Sequence, residues 1–174
     1  PGMSGLVIYA LGVGDGILAL TGLPGSGGDY AEDLSHIRDW RPALVISMTT
    51  GPEMAAAGAA DLGADLQAMG CRWVHLPVPD FDAPPEAIIA KWSPVSQSAL
   101  QALAGGGRVL VHCRGGCGRS GMVALRLMLE SGEAPEAALA RLRAVRPCAV
   151  ETDAQMRWAR AGAVVTWPGL TGSA

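Results

Sequence analysis

The stretch Arg108-Val-Leu-Val-His-Cys-Arg-Gly-Gly-Cys-Gly-Arg-Ser-Gly121 constrains the fold more than any other part of the chain. It opens with Val109-Leu110-Val111, a short apolar run that reads as a buried strand. A polar, glycine-rich turn follows. Met122-Val-Ala-Leu-Arg-Leu-Met-Leu129 then reads as a helix built from strong formers. A strand feeding a helix through such a turn makes an anion site, because the first helical N–H groups lack intrahelical partners and point outward. Cys113 stands at the loop entrance and Arg119 at its exit, so a thiol faces a ring of donors and a guanidinium.

Each residue of the loop has a bland reading and a chemical one. Cys113 alone would be a small buried hydrophobe. Between a strand end and a helix start, however, a thiol pKa falls from about 8.5 into a range of roughly 3.5–7.5, which favours the nucleophilic thiolate. Arg119 as a first-turn surface cation would oppose the helix dipole, whereas its planar fork matches two phosphate oxygens. Gly115, Gly116, Gly118 and Gly121 permit a tight turn with close backbone approach. Ser120 is positioned to donate its hydroxyl to the Cys113 sulfur, or else simply to cap the helix. His112 neighbours the thiol on a strand, where adjacent side chains point to opposite faces, so it is expected to brace the loop rather than act as the base.

The chain of 174 residues suits one domain with a substantial core, expected over residues 3–165. Pro1-Gly2 is read as a cloning remnant before Met3, and residues 166–174 as a tail. No apolar run is long enough to span a bilayer, and no basic segment followed by an apolar stretch opens the chain, so a cytoplasmic location without membrane contact is expected. A net charge of −3 argues against a general nucleic-acid surface. Cys71, Cys113, Cys117 and Cys148 are read as free thiols, since a chain with an ample core needs no disulfide framework.

Leu6–Leu11 and Gly16–Thr21 read as two strands joined by a turn at Gly14-Asp15-Gly16. Gly22-Leu-Pro-Gly-Ser-Gly-Gly28 lacks the Gly-Lys-Ser/Thr ending of a nucleotide loop and reads as a surface connection. Asp29 caps a helix to about Trp40, with Glu32 completing a capping-box-like pair. A strand over Ala43–Met48 follows, then helical pieces near Pro52–Ala57 and Ala59–Met69, and a strand at Arg72–Leu76. A proline-rich stretch, Pro77 to Pro85, leads into a helix reaching Ala104, bent near Pro94. After the loop and its helix, Pro135–Val145 and Thr152–Gly162 close the domain as helices. This alternation predicts a single three-layer α/β domain, with a central, mostly parallel sheet of four to five strands flanked by helices.

His-Cys-x-x-Gly-x-Gly-Arg-Ser, from His112 to Ser120, resembles the signature loop of the cysteine-dependent protein tyrosine and dual-specificity phosphatases, in particular their compact and bacterial members. The resemblance spans about residues 43 to 158. It implies that the Cys113 thiolate attacks phosphorus to give a phosphocysteine, while Arg119 and the loop from Arg114 through Gly115, Gly116, Cys117 and Gly118 hold the phosphate. It also implies an aspartic acid on a Pro-Asp loop upstream that protonates the leaving oxygen. Pro79-Asp80 supplies this loop, with Asp80 as the acid and Asp82 in reserve. Val150-Glu-Thr-Asp-Ala-Gln-Met-Arg157 is similar to the family's water-positioning loop. Gln155 matches its second glutamine, and Glu151 stands where the first would be. In the bland reading Glu151 belongs to a solvated helix start, where acids are favoured.

The expected substrate is a phosphorylated protein, handled by a monomer without cofactor or metal. His36, His75 and His112 show no paired ligand spacing. Alternatives are a phosphoinositide or RNA 5′-phosphate substrate, or a pseudophosphatase that binds phosphate without turning it over. A sulfurtransferase or arsenate reductase also places a cysteine after a strand, but the Arg-Ser ending and the Pro-Asp segment count against both. Cys117, four residues after Cys113, or alternatively Cys71, suggests a reversible disulfide with Cys113 under peroxide; the bland alternative is a loop filler.

Overall fold

The structure, a computed structural model, describes residues 5–164. The readings of Pro1-Gly2 and of 166–174 fall outside these residues. Within them the chain forms β1 (Tyr9–Val13), β2 (Gly16–Thr21), α1 (Tyr30–Trp40), β3 (Leu44–Ser47), α2 (Gly51–Ala56), α3 (Leu62–Ala68), β4 (Arg72–His75), α4 (Glu86–Ala104), β5 (Arg108–His112), α5 (Gly118–Glu130), α6 (Pro135–Val145) and α7 (Asp153–Arg160).

A five-stranded sheet runs β1-β2-β5-β3-β4. Only the edge pair β1–β2 is antiparallel; β2, β5, β3 and β4 are mutually parallel. The expected α/β architecture therefore holds. Strand alternation divides the core between two helical layers. Leu18, Leu20, Leu44, Ile46, Val109 and Val111 face α4–α7, while Ala19, Val45 and Leu110 face α1–α3. The central strands are buried on both sides, which is why they read as unbroken apolar runs.

Element boundaries moved where tertiary pairing decided them. β1 starts at Tyr9 rather than Leu6, because its register with β2 runs from Tyr9↔Leu20 to Val13↔Gly16. Beyond that ladder the Thr21 hydroxyl donates to the Val7 carbonyl at 2.8 Å, tying the entering chain down through a side chain. The second helical piece starts at Leu62 rather than Ala59, after a turn in which Gly58 takes φ +72°. Asp29 caps α1 by accepting from Glu32 N at 3.1 Å. Pro94 lies inside α4, as expected. Among the described residues, no helix is long and apolar enough to cross a membrane.

This topology places the site. The parallel strands β2, β5 and β3 end on the same side of the sheet, and β5 lies between the other two. Ligand crevices in open α/β sheets form outside the carboxyl ends of the strands. The loop from Cys113 to Cys117 leaves β5 there and enters α5, which is buried along almost its whole length.

Candidate active site

Cys113 is buried, 3 % exposed, at the C-terminal end of β5. Its N–H donates to Thr21 O of β2 at 3.4 Å. Its sulfur sits 3.1 Å from the Ser120 hydroxyl, in the first turn of α5. Gly116 takes φ +72°, and a Cβ there would lie 2.8 Å from the Thr21 carbonyl carbon, so both the turn and its proximity to β2 require glycine. None of the N–H groups of Arg114, Gly115, Gly116 and Cys117 donates to an atom of the described residues. Consecutive unspent amides at a helix start form a concave anion receptor.

Arg119 closes the ring. Although charged, its side chain is 1 % exposed. Nη1 and Nη2 donate to the two carboxylate oxygens of Glu53 at 2.7 and 2.8 Å, and Nη1 also donates to Val78 O at 2.8 Å. Nε is buried without a partner, and Nη2 lies 3.4 Å from Asp80 Oδ1. One edge of the guanidinium is therefore fixed by protein, while the Nε–Nη2 edge retains donors that match two oxygens of a tetrahedral anion. Burial works against the cation, but the Glu53 hydrogen bond and the neighbouring carboxylates outweigh it and raise the Arg119 pKa. Glu53 responds in kind: its carboxyl, bonded by Arg119, is lowered to about 2 despite its partial burial.

Glu53 escaped the sequence reading as a site residue. Thr50-x-x-Glu53 is legible as a capping box, and it forms one: Glu53 N donates to the Thr50 hydroxyl and Thr50 N donates to Glu53 Oε1. Nothing in that local pattern discloses a partner 66 residues away.

His112 ends β5, directly before the loop. It is wholly buried, with Nδ1 3.4 Å from Cys113 O and Nε2 2.5 Å from the Ser47 hydroxyl. Trp73 Nε1 donates to the same hydroxyl at 2.8 Å. The Cys113 carbonyl can only accept, so a neutral ring that bonds it carries its proton on Nδ1; Nε2 then accepts from the Ser47 hydroxyl, whose remaining lone pair receives the indole N–H. Burial lowers the His112 pKa to about 4, so the imidazole is neutral at ordinary pH. Ser47 and Trp73 carry no sequence motif and were not anticipated.

The Pro79–Asp82 loop is exposed yet anchored. Asp80 is 39 % exposed and accepts from Phe81 N at 3.0 Å. Phe81 takes φ +65°, an expensive left-handed conformation for an aromatic residue. Two contacts from the start of α7 hold it: Thr152 Oγ1 donates to Phe81 O and Gln155 Nε2 donates to Asp82 O, both at 3.3 Å. Of the two candidate acids, Asp80 is the one beside Arg119. Gln155 is buried, and its Oε1 accepts from Glu151 N and Thr152 N. Its amide thus links α7 to the loop carrying Asp80 and Asp82. A Cβ on Gly118 would lie 2.4 Å from Glu151 Oε1, so this carboxylate rests over the first residue of α5.

The cysteine reading needs correction. Cys117 and Cys148 form a disulfide; Cys71 and Cys113 are free. Cys117 is therefore neither a partner for Cys113 nor a filler. Cys71 packs in the α1–α3 layer, whereas Cys113 packs in the α4–α7 layer. The spatial proximity of Cys117 and Cys148 comes from α5 packing against the α6–α7 connection, which their separation of 31 residues conceals. The Gly22–Gly28 segment is also more than a surface connection. Leu23 is buried and its N–H donates to Arg114 O at 3.0 Å. Cavities of about 440 and 430 Å³ are both lined by Leu23, Ser26 and Arg114, whose exposed guanidinium has no partner among the described residues.

Solved structures share this fold. Kinase associated phosphatase (KAP), with serine replacing its catalytic-site cysteine, matches at TM-score 0.80 and 22 % identity over 95 % of this chain and 100 % of that one. Tk-PTP in its active form matches at 0.67 and 26 % identity, over 83 % and 89 %. PTPMT1 in complex with PI(5)P matches at 0.69 and 18 % identity, over 88 % and 94 %. No curated protein sequence matches the chain. The model of the Swiss Army Knife protein DSP-PTPase phosphatase domain, PTP-SAK, matches residues 26–164, and with a loop, guanidinium and acid arranged as above, the chain belongs to that family of cysteine-dependent phosphatase domains.

Proposed function

We propose that the protein is a phosphoprotein phosphatase of the tyrosine or dual-specificity type, working through a phosphocysteine. The observation that carries this reading is the unspent donor set around Cys113: four free loop amides and the unpaired Nε of Arg119. In the first step the Cys113 thiolate attacks phosphorus and the P–O bond to the leaving group breaks. Asp80, beside Arg119, gives its proton to the departing oxygen. In the second step water attacks the phosphocysteine, giving a proton to the Asp80 carboxylate left by the first step; the S–P bond breaks, and the Ser120 hydroxyl at 3.1 Å stabilises the departing sulfur as thiolate. The loop amides and Arg119 bear the charge on the equatorial oxygens throughout.

The test is hydrolysis of a small aryl phosphate without added metal. Cys113→Ser is expected to abolish turnover while the protein stays folded. Activity that survives this change, or that requires a divalent ion, overturns the mechanism. Arg114 favours one second reading, a phosphoinositide substrate whose additional anionic group meets its unpaired guanidinium; PTPMT1, a structural neighbour, is known in complex with PI(5)P. Comparing phosphotyrosyl peptide with phosphoinositide turnover, for wild type and Arg114→Ala, separates the two.

A further inference from the structure

The connection between α6 and α7 grips the phosphate loop from outside. Arg146 Nη2 donates to Gly115 O at 2.9 Å and Nε donates to Gly116 O at 3.2 Å. Nη2 also lies 3.3 Å from Cys117 Sγ, the sulfur bonded to Cys148. The guanidinium is supported on its other side by the Tyr9 ring, 4.2 Å from the ring centre. Arg143 stiffens the same connection by donating to Ala149 O and Val150 O, both at 3.0 Å. Val150 N donates to Cys117 O at 3.4 Å. Gly121 packs so closely there that a Cβ would lie 2.6 Å from Val150 N.

The consequence follows from peptide geometry. In a trans peptide the carbonyl of one residue and the N–H of the next point in opposite directions, and the described chain contains no cis bond. Holding Gly115 O and Gly116 O outward therefore turns Gly116 N–H and Cys117 N–H inward, toward the position that the phosphate would occupy. Resting on the phosphatase reading, we propose that Arg146 and Cys148 are positioning residues for catalysis: Arg146 aims two loop amides through their neighbouring carbonyls, and the Cys117–Cys148 bond holds the distal half of the loop to Arg146. Neither touches the reacting atoms. The arrangement has a redox consequence opposite to oxidation of the nucleophile. A dithiol reductant attacks one sulfur of the bridge, expels the other as a thiol and closes its own disulfide, leaving Cys117 and Cys148 reduced and the loop less constrained. The oxidised protein is the better phosphate binder.

The experiment measures inorganic phosphate binding by calorimetry in a Cys113→Ser background, and KM and kcat for an aryl phosphate in the background with Cys113 intact. Mass spectrometry verifies the state of the bridge. Arg146→Ala is expected to weaken phosphate binding about tenfold and raise KM with a smaller change in kcat, as losing two outward hydrogen bonds implies. Arg146→Lys is expected to restore part of the loss. Dithiol treatment is expected to weaken binding about three- to tenfold in otherwise unaltered protein and to leave Cys148→Ser unchanged. Circular dichroism checks that Arg146→Ala is folded; if it is not, the reductant series decides. Phosphate affinity that is indifferent both to a folded Arg146→Ala and to verified reduction overturns the clamp. So do Cys117 and Cys148 found as free thiols in protein kept from reductant. Failure of the oxidised protein to bind phosphate at all refutes the phosphatase reading instead.

Discussion

Replacing Glu53 by Gln isolates the contact that holds Arg119. Glutamine retains the capping role at the start of α2, because either residue serves at that position of a capping box. It removes the charge and turns an NH2 group toward a guanidinium donor. Wild-type Glu53 has its carboxyl at about 2 rather than 4.5, with the Arg119 hydrogen bond as the chief cause. At 1.36 kcal/mol per pH unit, this difference corresponds to about 3 kcal/mol at neutral pH. The range of about 3–5 kcal/mol for breaking a buried ion pair agrees, with Arg119 1 % and Glu53 20 % exposed. Since the retained amide oxygen recovers part of this, the variant is expected to lose about 2–4 kcal/mol. The sign with pH follows from a depressed folded-state value: the stabilisation is full above 4.5 and fades as pH falls toward 2. At pH 3 only about 1.4 kcal/mol remains, so the gap between variant and wild type narrows by more than half. Urea denaturation at pH 7 and pH 3 reads both quantities. In parallel, kcat/KM is expected to fall roughly 10- to 100-fold as the guanidinium loses its fixed orientation. A deficit under about 0.5 kcal/mol at pH 7, the scale of an exposed pair, refutes the reasoning, as does one unchanged at pH 3.

Asp80→Asn is expected to lower kcat by about 10²–10⁴ while leaving inhibition by inorganic phosphate intact; the deficit should shrink for aryl phosphates with more acidic leaving groups, and an unaffected kcat shifts the role to Asp82. His112 has its pKa lowered from 6.5 to about 4, so the unfolded chain binds the extra proton first and stability falls as pH drops through that window. His112→Gln should abolish up to about 3 kcal/mol of this acid sensitivity between pH 6.5 and 4, measured by denaturation against pH. Gly116→Ala forces a Cβ to 2.8 Å from the Thr21 backbone at φ +72° and is expected to cost about 1–3 kcal/mol, with loss of phosphate binding in a calorimetric titration.

Local chemistry was legible from local sequence. The loop from His112 to Ser120 reads correctly as strand, turn and helix because its periodicity, glycines and helix formers act over a few residues. The α/β alternation likewise follows from the spacing of buried apolar runs, and the Asp29 cap of α1 follows from helix-end chemistry. Asp80 was singled out through the Pro-Asp resemblance; its place 3.4 Å from Arg119 comes from the fold.

What the linear pattern withheld was every partner brought in from a distant element. Glu53 under Arg119, Ser47 and Trp73 behind His112, and Arg146 and Cys148 outside the loop come from α2, β3, β4 and the α6–α7 connection. Their side chains meet the loop only because β5 lies between β2 and β3, with α5 packed beneath α6 and α7. A hydrogen bond or disulfide across such distances leaves no periodic trace, since it constrains residue type at single positions. By itself the sequence determined the strand–loop–helix around Cys113 and Arg119 and the layer architecture. Only the tertiary structure decided what holds that guanidinium in place, which tautomer His112 adopts, and that Cys117 is bound to Cys148 rather than available to Cys113.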